Sequence, residues 1–139
     1  MDAAANKQSV RHILGAYAQS DIEPLLQAIH PDVVWVTQAP PEFYPFGGRH
    51  AARAGVLAGM AKIATLYSLN GYELIESVAE GDVVWTTANL DFTHRRSAMR
   101  VRFQLVSRWE FRDGNVVKLT EYFDSASVLL QEGRLAATG

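Results

Sequence analysis

The chain has no cysteine. That absence removes disulfides, thiolate zinc sites, iron–sulfur clusters and cysteine nucleophiles. It also lacks a long apolar run: the longest charge-free one, Ala54 to Ala61, falls far short of the ~20 residues a membrane helix needs. Met1 to Val10 are polar and alanine-rich, with no hydrophobic signal segment, so a cytoplasmic location is the expectation. Neither sign of charge dominates: 13 basic residues face 15 acidic ones, for a net charge of −2. A general binder of nucleic acid or anionic membrane would carry a basic excess, so neither partner is expected. The four histidines, His12, His30, His50 and His94, are scattered. None has a partner three to five residues away, as helical or finger-type metal ligands do, so they read as surface or capping residues and no metal is expected.

What the chain does have is 139 residues, 48% apolar and 20% charged. That is ordinary globular composition at a length suited to one domain, taken as 1–139 with a core at about 8–130. Val10, Ile13, Leu14 and Tyr17 fall at helical spacing and predict a helix from about Ala4 to Gln19. Ser20 to Glu23, followed by Pro24, has the form of a capping box opening a second short helix that Pro31 stops. Val33 to Gln38, centred on Trp35, reads as a strand. Next comes a loop, Ala39 to Gly48, with three prolines and the rings of Phe43, Tyr44 and Phe46; rings in a loop need something apolar to cover. Val56, Met60, Ile63 and Tyr67 mark a third helix, about Ala51 to Leu66. Four strands follow, Tyr72–Glu80, Asp82–His94, Met99–Arg112 and Asn115–Ser125, with Asp113-Gly114 suited to a tight hairpin. The tail, Ala126 to Gly139, is expected to form a short helix and then fray. The order predicts an α+β fold, a curved antiparallel sheet forming a cone with three helices on its concave side.

Alternation sorts each strand into two faces. Val101, Phe103, Leu105, Ser107, Trp109 and Phe111 form one face, with Ser107 its single polar member. Val84, Thr86, Ala88, Leu90 and Phe92 form the inner face of the preceding strand, which turns Asp91 outward. In the last strand Val117, Leu119, Glu121 and Phe123 share a face. A carboxylate at an apolar position is costly unless paired or protonated, and desolvation raises its pKa into the range useful for proton transfer. The alternative is a glutamate at the sheet rim, its head in water or on an arginine. Arg100, Arg102, Arg108 and Arg112 line the outer face with Trp85, and are expected to pair with acids on neighbouring strands or across a dimer contact. His94-Arg95-Arg96 is expected to be a solvated turn.

This arrangement resembles the SnoaL-like branch of the nuclear transport factor 2-like superfamily over about residues 8 to 130. The strongest local match is Trp109-Glu110-Phe111-Arg112-Asp113-Gly114-Asn115-Val116-Val117, followed by Glu121-Tyr122-Phe123-Asp124. The resemblance implies a cone-shaped pocket and a superfamily that includes ketosteroid isomerase, polyketide cyclases, epoxide hydrolases and dehydratases. Fold alone does not choose among them. By similarity to the epoxide hydrolases, Glu121 stands where an aspartate activates water, while Trp35 and Thr37 stand where a tyrosine and an asparagine hold it. Their arginine and second aspartate fall on Ala88 and Leu90, or one residue away on Asn89 and Asp91, so that machinery is incomplete. The ketosteroid isomerase groups fall on Thr37, Ile13 and Ser107 and are missing. Related proteins commonly dimerise through the outer sheet face, which implies a homodimer here.

The resulting expectation is an isomerase, cyclase or hydrolase acting on a small apolar or oxygenated molecule, with Glu121 as general acid/base and no cofactor. Tyr17, Trp35, Thr37, Phe43, Tyr44, Phe46, Ser107 and Trp109 are the expected ligand contacts. The alternatives are a non-catalytic ligand binder of the same fold and a structural module whose cone is filled by side chains.

Overall fold

The computed structural model describes residues 2–136. Its elements are α1 (Ala3–Tyr17), α2 (Glu23–Ala28), β1 (Ile29–Gln38), β2 (Gly48–Ala51), α3 (Ala52–Leu66), β3 (Tyr67–Glu80), β4 (Val83–His94), β5 (Arg100–Arg112), β6 (Asn115–Tyr122) and α4 (Ser125–Gln131). The fold class is the expected α+β, a curved, unclosed six-stranded sheet ordered β2-β1-β6-β5-β4-β3.

Two features depart from the expected architecture. The short helix expected in the tail forms as α4, which makes four helices among the described residues where the expected cone holds three; residues 137–139, the end of the stretch expected to fray, lie outside the described residues. The sheet is also not wholly antiparallel: β1 lies parallel to β6, with Thr37 beside Glu121 and Trp35 beside Leu119. Strand β2, which local periodicity does not reveal, pairs antiparallel with β1 and sets His50 beside Trp35.

Local chemistry explains most boundaries. Asp2 caps α1 by accepting from the Ala5 amide at 2.8 Å. The Ser20 capping box does not form: Ser20 sits at φ 63°, and Asp21 Oδ1 accepts from the Glu23 amide at 3.0 Å instead. Pro24 occupies the first turn of α2, where a missing amide costs little. Pro31 lies inside β1, at the irregular stretch between Ile29 and Val34 where pairing with β6 shifts register. Asp113 and Gly114, both at positive φ, make the two-residue hairpin between Arg112 and Asn115.

On β4 and β5 burial alternates as the sequence predicts. On β6 the hairpin end slips: a register shift between Glu110 and Phe111 puts Val116 in the core, fully buried, in place of Val117. Asp91 faces outward and holds Arg100 and Arg102. His94 is a correction. It is buried rather than solvated, with Nδ1 2.7 Å from Ser97 Oγ and its ring against Tyr67. The core divides into a cluster around Val10, Ile13, Trp35 and Trp109 and another around Tyr44, Tyr67, Phe92 and Val128.

Candidate functional site

Between these clusters lies a cavity of about 120 Å³. Its walls come from α1 (Ile13, Leu14, Tyr17), β1 (Trp35, Thr37), the proline-rich loop (Tyr44, Phe46), α3 (Val56, Met60, Ile63), the inner sheet face and Val128 of α4. The lining is overwhelmingly apolar, and Glu121 is the single Asp, Glu, Lys or Arg side chain on it among the described residues.

Strand β6 directs Glu121 inward because Leu119 and Phe123, two residues either side, also face the cavity. Glu121 Oε1 accepts from Trp35 Nε1 at 2.5 Å. Among the described residues Oε2 has no hydrogen-bond partner, and the residue, partly buried overall, lines the cavity. Desolvation pushes the carboxyl pKa up to about 7, opposed by the Trp35 hydrogen bond, which favours the charged form. Near neutrality such a group exchanges its proton readily in either direction.

The cavity tyrosines separate into two kinds. The Tyr44 hydroxyl donates to the Ser125 carbonyl at 2.5 Å, and that of Tyr67 to the buried carboxylate of Glu132, so both are spent on holding α4. Tyr17 and Tyr72, packed edge to face with centroids 5.5 Å apart, make no hydroxyl hydrogen bond among the described residues. Burial, and then the negative charge of Glu121, raise the pKa of each, that of Tyr17 to about 12. Both are therefore neutral phenols near the carboxyl, able to donate to a ligand oxygen. Thr37, beside Glu121 across the parallel ladder, adds a buried hydroxyl without a partner.

The expected contacts thus come together in part. Tyr17, Trp35, Thr37, Tyr44, Phe46, Trp109 and Glu121 line the cavity. Phe43 does not: its ring is half exposed on the loop's outer side, and its carbonyl accepts from Arg134 at 2.7 Å. Ser107, beside Glu121 on β5, is buried without a partner but lies off the cavity wall. Trp109 offers only its ring, since Nε1 donates to Thr86 Oγ1 at 3.1 Å. Two residues at or behind the site are not picked out by the sequence: Tyr72, which has no role there, and His50, which reads with the other histidines as a surface or capping residue. Tyr72 opens the stretch read as a strand, but β3 shifts register on both sides of it and so lacks a clean alternation. His50, which stacks on Trp35, lies in the short β2. No group of three or more His, Asp or Glu that could hold a metal occurs among the described residues.

A family described as SnoaL-like domain matches residues 10–119. No match was found among curated proteins. Among solved structures, TerC co-crystallised with polyporic acid is 26% identical, with a TM-score of 0.81 over 93% of this chain and 98% of that one. A nuclear transport factor 2-like protein of unknown function from Burkholderia pseudomallei is 23% identical (TM-score 0.81; 91% and 96% covered). AclR, a putative hydroxylase from Streptomyces galilaeus, is 20% identical (TM-score 0.78; 99% and 90% covered). The last two likenesses establish the fold alone.

Proposed function

The chain belongs to the SnoaL-like domain family, and from that premise we propose that it is an enzyme acting on a small, neutral, oxygenated hydrophobic molecule, with Glu121 as general acid/base. The observation that carries this reading is a lone carboxyl at the polar end of an apolar cavity, held by one donor and pushed up to about 7. A cavity of about 120 Å³ is close in size to engineered ones of ~150 Å³ that accept benzene, so the ligand is of single-ring size. Its ring lies among Trp109, Phe46 and Met60. Its carbonyl oxygen accepts hydrogen bonds from the hydroxyls of Tyr17, Tyr72 and Thr37, and a C–H on the carbon alpha to that carbonyl meets Glu121 Oε2. Carboxylate abstraction of that proton gives an enolate that the phenols stabilise by hydrogen bonding. TerC, co-crystallised with polyporic acid, supports an oxygenated organic ligand.

The test is enzyme-dependent deuterium exchange from D₂O into the α-carbon of a panel of monocyclic ketones and enones, followed by proton NMR. The reading predicts exchange that Glu121→Gln abolishes; exchange that survives this substitution removes Glu121 from the chemistry. A second reading, a ligand carrier without turnover, is favoured by the missing second charged group on the wall. It predicts ligands that raise the melting temperature and exchange nothing. We also propose a homodimer through the outer sheet face, supported by the exposed Trp85–Tyr122 stack, Arg108 over the Trp85 ring, and exposed Ile75 and Val78.

A further inference from the structure

The reading of Glu121 depends on Trp35 keeping its indole N–H on the carboxyl, and an indole can rotate. Behind it, β2 brings His50 beside Trp35 in register. The imidazole lies against the indole with centroids 4.8 Å apart and planes 31° from parallel. His50 Nε2 is 2.7 Å from the Phe46 carbonyl oxygen; a carbonyl only accepts, so Nε2 carries the proton and donates it. On α3 the residue facing both rings is Gly59. A Cβ there would lie 2.5 Å from Trp35 Cζ3 and 3.2 Å from His50 Cε1 and Nδ1. The two rings thus occupy a slot that exists because α3 presents bare backbone.

We propose that His50 is a positioning residue: stacked on the indole and anchored to the Phe46 carbonyl, it holds Trp35 Nε1 on the Glu121 carboxyl. The proposal rests on Glu121 being the acid/base group of the reading above. His50 is not on the cavity wall and touches no ligand; its influence passes through Trp35. The other groups facing Glu121 are Tyr17 from α1, Thr37 from β1 and Tyr72 from β3, with Ser107 beside it on β5. None of them bears on the indole plane as His50 does. Because Phe46 lines the cavity, the aromatic loop is linked through His50 and Trp35 to the carboxyl.

The experiment uses the full chain without ligand and follows the indole Hε1–Nε1 resonance of Trp35, assigned by its loss in Trp35→Phe. Above neutral pH a carboxylate acceptor displaces this proton downfield. In His50→Leu, which fills the space without a ring or a donor, we expect that displacement to be lost. We also expect the midpoint of its pH titration to rise by about one unit, a tenfold change in proton affinity. His50→Phe, which keeps the stacked ring, restores most of both. A His50→Leu protein with the parent's resonance position and midpoint would overturn the proposal, as would a His50→Phe protein as impaired as His50→Leu. The indole resonances of Trp85 and Trp109 report that the fold is intact. A parent resonance that does not titrate would sink the reading of Glu121 instead, and the comparison of resonance positions at fixed pH would still decide for or against His50.

Discussion

A glutamate that shares a face with Leu119 and Phe123 opposes folding whenever it is ionised, because its charge leaves water for an apolar wall with one donor. Its folded pKa of about 7 lies above the ordinary 4.5, so between those values the native protein binds a proton that the unfolded chain has released. Stability from this group is therefore complete below 4.5 and is lost as the pH rises through about 7. The loss is on the order of 3 kcal/mol. Urea denaturation at pH values on either side of this window is expected to show the decline in the parent and its absence in Glu121→Gln. On the proposed function, the same protonation sets the rate. As a base, Glu121 must be ionised, so kcat/KM rises with pH to a plateau above about 7, and Glu121→Gln lowers it roughly 10²–10⁴-fold. Tyr72→Phe is expected to reduce kcat with little effect on folding, since its hydroxyl has no partner in the fold among the described residues. Tyr44→Phe, which removes a hydrogen bond to α4, is expected to act mainly on stability, as thermal unfolding would report.

The elements show which parts of this arrangement are legible in the sequence. Long strands with one face in the core betray themselves by alternation, so the inner faces of β4 and β5, and the inward Glu121, are readable directly. Strand β2 has four residues between a loop and a helix, too few for any periodicity to show. Its partner and the parallel β1–β6 pairing are set by the rest of the fold, and with them the placement of His50 against Trp35. Alternation gave Ser107 its face but not its cover, and the loop's three rings could not be sorted into two that reach the cavity and one, Phe43, that does not. Gly59 illustrates tertiary packing overriding propensity. Glycine inside a helix costs about 1 kcal/mol relative to alanine, yet here an added methyl meets the Trp35 ring at 2.5 Å. An indole wedged against β2 cannot give way cheaply. Gly59→Ala is therefore expected to lower stability by about 1–2 kcal/mol despite the gain in helix propensity, read as a drop in the urea midpoint.

At the scale of the molecule, the sheet presents two unlike faces. Its inner face, closed by α1, α3, the aromatic loop and α4, makes the cavity. Its outer face carries the Asp91 pairing with Arg100 and Arg102, the Arg108–Glu110 pair and the exposed Trp85–Tyr122 stack. If the outer face joins two copies, Trp85→Glu converts a dimer to a monomer in sedimentation velocity while the Glu121 chemistry persists; a parent that sediments as a monomer contradicts the dimer. The inner face bears the main claim, that a solitary carboxyl among rings titrates near neutrality rather than in the ordinary carboxylate range. A carbon-13 titration of the protein labelled at glutamate side-chain carboxyls, with Glu121 assigned by its loss in Glu121→Gln, measures this directly. The predicted midpoint is about 7; a midpoint at the ordinary glutamate value of 4.5 would contradict the account.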